Sequence, residues 1–139
     1  MKENNRCVTF FTINGSFFDP REITKILGIQ PDKSWRSDDL RADGKPYDFS
    51  YWECGRCDEY DVYTEEQMEK TISILVDKID LLKKIYDNYD VEFTLEVIPE
   101  VNVDEITPCL APSMKVIDFC HETRTRIDID LYVYSKEDE

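Results

Sequence analysis

The chain has 139 residues, is 41% hydrophobic and 35% charged, and carries a formal net charge of −14. A chain of that size buries a core without disulfides or metals to hold it, which predicts a single domain over 1–139 with frayed ends at 1–6 and 135–139. The charge is segregated: residues 1–57 hold nine Lys/Arg and nine Asp/Glu, and residues 58–139 hold eight and 22, so the C-terminal part repels phosphate backbones and anionic lipid, and neither nucleic acid nor a membrane surface is an expected partner.

No apolar run approaches the roughly 20 residues of a membrane span, and the N-terminus turns polar and then β-like instead of forming an export signal. Five cysteines at 7, 54, 57, 109 and 120, odd in number and scattered, point to reduced thiols and a cytoplasmic protein.

In chain order, Cys7 to Ile13 is aromatic and β-branched with both faces partly apolar, the pattern of a central strand. After a turn at Asn14, Gly15 and Ser16, Asp19 caps a helix with Pro20 at its first position and Glu22 completing a capping pattern. Ile23, Ile26 and Leu27 form its apolar stripe, and Gly28 stops it in a left-handed conformation with Ile29 folding back. Pro31 and Trp35 lead into a long polar loop, 36–46. Long ordered loops often carry function, which marks this one.

Tyr47 to Cys54 reads as a second strand with Tyr47, Phe49 and Tyr51 on one face and Asp48, Ser50 and Trp52 on the other. Residues 55–63 form an acidic connection. Thr64 and Gln67 then open the longest helix as a capping box, with Met68, Ile72, Leu75, Ile79, Leu82 and Tyr86 as one continuous stripe. Val91, Phe93, Leu95 and Val97 alternate with polar residues as a strand that Pro99 ends. A third helix spans about 112–122 with Leu110, Met114, Ile117 and Cys120 or His121 inward. A last strand, 126–134, turns Ile127, Ile129, Leu131 and Val133 to the core and Asp128, Asp130, Tyr132 and Tyr134 away from it. The order β-α-β-α-β-α-β predicts an α+β two-layer sandwich of ferredoxin-like character, with an antiparallel or mixed sheet of four or five strands and one open face.

The succession Phe18-Asp19-Pro20, Glu22-Ile23, Leu27-Gly28-Ile29, Pro31, Trp35, Trp52 and a closing Asp128-Ile129-Asp130-Leu131-Tyr132 resembles the bacterial family catalogued as domain of unknown function 4279. The resemblance covers about residues 8–134. It implies a small α+β domain with no known activity, so no catalytic residue carries over. The chain departs from the family pattern at Thr123–Thr125, where a glycine is expected before the last strand, and in its pair Cys54 and Cys57.

Several groups invite chemistry. Cys54 and Cys57 have the spacing of half a zinc site, but only Cys109, Cys120 and His121 remain as soft ligands, and Asp58, Glu59 and Asp61 oppose a lowered thiol pKa. The pair therefore reads as ordinary thiols in a turn. His121 is the only histidine, unaccompanied by a nucleophile motif, and suits the last turn of a helix. No catalytic residue, metal or cofactor is expected. Asp128 and Asp130 share a face that Glu92 and Glu96 join if the last strands pair. Trp35, Arg36, Arg41, Lys45 and Trp52 mix aromatic and basic groups as interface anchors do. The pattern predicts a protein-interaction module that docks a basic partner through its acidic C-terminal half, with an immunity protein against a basic toxin as one form. The alternative is a small-ligand-binding protein or enzyme that uses loop 35–46 and the open face with Trp52, Asp128, Asp130 and Tyr132.

Overall fold

A computed structural model of the protein describes residues 4–60 and 63–135. The elements run β1 (Arg6–Gly15), α1 (Pro20–Leu27), β2 (Lys33–Trp35), β3 (Ser50–Tyr60), α2 (Thr64–Ile72), α3 (Ile79–Asn88), β4 (Glu92–Asn102), α4 (Met114–Thr123), β5 (Arg126–Ile129) and β6 (Tyr132–Tyr134). The class is α+β, with six strands among the described residues in place of the four or five expected and four helices in place of three. The sheet order is β2-β3-β1-β4-β5, and β6 also pairs with β4. β1 is central, as its two apolar faces predict. It is antiparallel to β3 and β4, while β5 and β6 run parallel to β4 because α4 carries the chain back over the sheet.

The first helix follows its local signals. Asp19 accepts the Arg21 backbone N–H at 3.0 Å and Gly28 takes φ 68°. Glu22, read as the partner in the cap, instead accepts the Tyr89 hydroxyl at 3.0 Å and ties α1 to the end of α3. Phe11, Ile13, Trp52, Cys54, Phe93, Leu95 and Val97 on one sheet face share a single core with Ile23, Leu27, Met68, Ile72, Leu82, Ile85, Val116 and Phe119 from the four helices.

Elsewhere the local patterns and the fold disagree. The long helix is two. Ser73 Oγ bonds back to the Lys70 carbonyl at 2.6 Å, and i→i−3 bonds from Leu75 and Lys78 tighten the chain before α3. Leu75 stays fully buried through this turn, so the apolar stripe continues although the helix does not. Thr64 is not the cap but the first helical residue, its hydroxyl donating to the Cys109 carbonyl. Gln67 reaches the Cys7 and Cys57 carbonyls at 2.6 and 3.1 Å and pins β1 to β3.

The acidic connection after Cys54 is strand as far as Tyr60, with residues 61 and 62 outside the described part. β4 likewise runs on through Pro99, which falls where its parallel neighbour is interrupted between β5 and β6. In α4 the inward residues are Val116, Phe119, Cys120 and Thr123, while Met114 and Ile117 are 68% and 40% exposed. Ser113, which caps the Val116 N–H, sets a phase that apolar spacing alone misplaced. Thr123 can sit inside because its hydroxyl bonds the Phe119 carbonyl at 2.8 Å. The single last strand is two short ones, and Ile129, Leu131 and Val133 are exposed at the sheet edge beyond the helices. At the other end Asn5 bonds Ile106 and Asn102 and Arg6 opens β1. Among the described residues no helix is long and apolar enough to cross a membrane.

Candidate open-face interaction site

Strand alternation sends the even-numbered residues of β1 and β4 away from the helices. On β1 these include Phe10, Thr12 and Asn14, and on β4 Glu92, Thr94 and Glu96. Tyr51 and Glu53 join them from β3, and Lys33 and Trp35 from β2. Among the described residues no helix packs on this face.

Its β2 end is an aromatic block. Trp35, paired with Tyr51, is stacked between Tyr47 at 4.2 Å and Tyr51 at 4.3 Å, with Phe49 edge-on at 5.6 Å. The loop after Trp35 folds back on itself through a bridge between Leu40 and Pro46 and paired backbone bonds of Asp38 and Asp39 with Tyr47. Arg36 leaves the block and lies over the ring of Phe17 at 5.2 Å. Arg41 pairs with Asp43 at 3.4 Å at the exposed loop tip.

Trp52 does not belong to this site. It points to the opposite face, is fully buried, and its Nε1 donates to Thr24 Oγ1 at 3.0 Å. Its neighbours Tyr51 and Glu53 occupy the open face in its place. Glu53 is only 2% exposed, and two donors reach its carboxyl oxygens: Tyr51 Oη at 2.8 Å and Arg56 Nη1 at 3.1 Å. Arg56 spreads over the ring of Phe10 at 4.8 Å. Burial and the bond to Glu53 lift the Tyr51 hydroxyl well above its ordinary range, so it is a donor at any physiological pH.

Arg56 reaches this face through a bulge. The β1–β3 register shifts between Thr9 and Phe11, where Gly55 takes φ 70°. Cys54 and Cys57 flank that bulge within β3 and are not in a turn. Burial raises the thiols of Cys7 and Cys120 to about 11 and that of Cys54 further, which keeps them protonated and poor nucleophiles. Among the described residues no three His, Cys, Asp or Glu side chains gather as a metal site.

The β4–β5–β6 end is anionic. Glu96 lies opposite Asp128. Burial, reinforced by the charge of Asp128 and a hydrogen bond to it, pushes the Glu96 carboxyl up to about 7, against a weaker pull from Arg126. Asp130 accepts the Tyr132 hydroxyl at 3.1 Å, and Tyr132 stands opposite Glu100, which Arg6 also bonds. Asp128, Asp130 and Tyr132 are therefore together at one edge, and Trp35 stands at the other. Between them Thr12, Glu53 and Thr94 are 2%, 2% and 7% exposed, so the centre of the face is filled by its own side chains.

No curated protein and no solved structure is significantly similar to the chain. The family model described as Domain of unknown function (DUF4279) matches residues 5–134, and the chain belongs to that family.

Proposed function

We propose that the protein is an interaction module that docks a basic protein partner on the open sheet face, and that an immunity-type neutralisation of a basic toxin is one use of such a surface. The observation that carries this reading is the pairing of a rigid aromatic block at Trp35 with the anionic edge at Glu96, Asp128 and Asp130. Stacked aromatics supply contact area at little entropic cost, and the carboxylates select cationic partners and speed their approach. The filled centre of the face favours a broad protein contact over a small molecule sunk into a pocket.

The test is capture on immobilised protein, with the bound fraction identified by mass spectrometry. Wild type is compared with Trp35→Ala and with Asp128→Asn/Asp130→Asn, each checked for folding by circular dichroism. A partner of high pI that both variants lose, and that salt releases, supports the reading. Retention by both variants, or indifference to ionic strength, sinks it.

A further inference from the structure

Among the described residues no strand pairs with the outer side of β5 and β6, and an open sheet edge is a recurring place for an extended peptide to bind. We infer that this edge takes up an extended segment of a basic protein partner as an added strand, one in which Lys or Arg alternates with apolar residues. Such recognition rests on the open-face reading and specifies how the partner's chain is held.

The two short strands form one edge. Thr94 faces Arg126, Val97 faces Ile129, Glu100 faces Tyr132 and Asn102 faces Tyr134, all at one offset, so residues 126–134 extend about 30 Å at ~3.3 Å per residue. The Asp130 N–H donates to the Val97 carbonyl, and the Tyr134 carbonyl accepts the Val103 N–H. Even-numbered residues therefore turn their backbone groups to β4, and Ile127, Ile129, Leu131 and Val133 turn theirs outward. Natural edges are commonly blunted by proline, lysine or a covering element, and residues 126–134 contain neither proline nor lysine. The opposite edge differs, since β2 is only three residues long and follows Pro31.

The two faces of this edge specify the occupant. Ile129, Leu131 and Val133 lie on the helical side and are exposed, an apolar stripe that one more strand would cover. Asp128 and Asp130 lie on the open side, with Glu96 opposite Asp128 and Arg126 at the start of the edge. An added strand sets its side chains against those of the edge, face for face. Its apolar residues then cover the stripe, and Lys or Arg at the alternate positions meet the carboxyl groups. A second copy of the chain lacks this complementarity. Antiparallel addition over all of 126–134 would set Asp130 opposite its own counterpart and bring together two chains of net charge −14.

The full chain is titrated at pH 8, above the Glu96 value of about 7, with a capped peptide of alternating Lys and Val as long as the edge. Saturable NMR shifts with a Kd below about 1 mM are expected, and amide exchange at Ile129, Leu131 and Val133 slows about tenfold or more as their N–H groups become bonded. Antiparallel addition directs the valine N–H groups of the peptide to the edge and parallel addition the lysine ones, so N-methylation of one set abolishes binding and N-methylation of the other leaves it. Ile129→Pro loses binding, because it removes an outward N–H that β4 does not use, while Ile129→Val keeps it. Shifts that stay linear to about 1 mM overturn the inference, as does binding that neither N-methylated peptide nor Ile129→Pro weakens. A basic protein captured through Asp128 and Asp130 but held equally by Ile129→Pro overturns strand addition and leaves the open-face reading standing. Equal affinity for a peptide of alternating Glu and Val overturns both. A concentration-dependent dimer that Ile129→Pro abolishes assigns the edge to a second copy and overturns the inference as well.

Discussion

Glu53, buried, and Glu96, half-buried, are two carboxyl groups on the same sheet face with different partners. Glu53 accepts from both Tyr51 and Arg56. Glu96 is pushed up to about 7 by its partial burial and then by the second carboxylate it faces, Asp128. Its pKa is raised in the folded state, so the native protein binds the extra proton and stability falls as pH rises from the unfolded value near 4.5 through 7. Glu96→Gln removes that loss and keeps a hydrogen-bonding group opposite Asp128. Discounted for partial exposure, the gain is about 1–2 kcal/mol at pH 8 and close to zero below pH 4.5. Urea unfolding at several pH values measures it. An equal difference at pH 4 and pH 8 would mean the two carboxylates are not coupled. Above pH 7, where Glu96 is ionised, the same substitution weakens capture of a basic partner, since it removes an anionic contact.

At the scale of elements, some features were legible because the signal is local. The α1 cap at Asp19 and stop at Gly28 were readable in this way, as was the alternation of Tyr51 and Trp52 about β3. What alternation could not say is which face the helices cover. That is why Trp52 was expected on the open face while Glu53 passed unremarked. The stripe from Met68 to Tyr86 predicted burial correctly and the helix wrongly, because a tight turn that preserves the apolar phase leaves no trace in spacing. The site residue least visible in the sequence is Arg56. Its place on the open face depends on the bulge at Gly55, and that bulge depends on close packing against α2. A Cβ at Gly55 would stand 2.5 Å from the Thr71 carbonyl oxygen, and the backbone there is left-handed. Gly55→Ala therefore meets both strain and a clash that no side-chain motion relieves, and should cost about 2–4 kcal/mol in unfolding free energy. A cost below about 0.5 kcal/mol, the range of neutral surface changes, would show that the bulge is not held by this contact.

Over the whole molecule, charge acts on stability and on docking with opposite signs. A net charge of −14 repels itself in the compact state, and the carboxylates lie on both the open-face edge and the helical surfaces, so folding gathers them closer than the unfolded chain does. Among the described residues the ion pairs that oppose this are mostly exposed: Arg6 with Asp58, Arg21 with Asp19 and Lys70 with Glu59 lie within 2.6–2.8 Å at partly solvated positions and contribute little each. Screening should relieve more repulsion than attraction. Raising NaCl from about 10 to 200 mM shortens the screening length from about 30 Å to under 10 Å. The melting temperature is then expected to rise by about 2–6 °C, as a gain near 1 kcal/mol gives for a domain of this size. Over the same range a basic partner held by the open-face edge should dissociate, because its attraction is screened as well. Differential scanning calorimetry and the capture assay, run in the same buffers, separate the two responses. A melting temperature that falls with salt would show that attractive pairs outweigh the net charge. A partner retained at high salt would overturn the docking of a basic protein through these carboxylates.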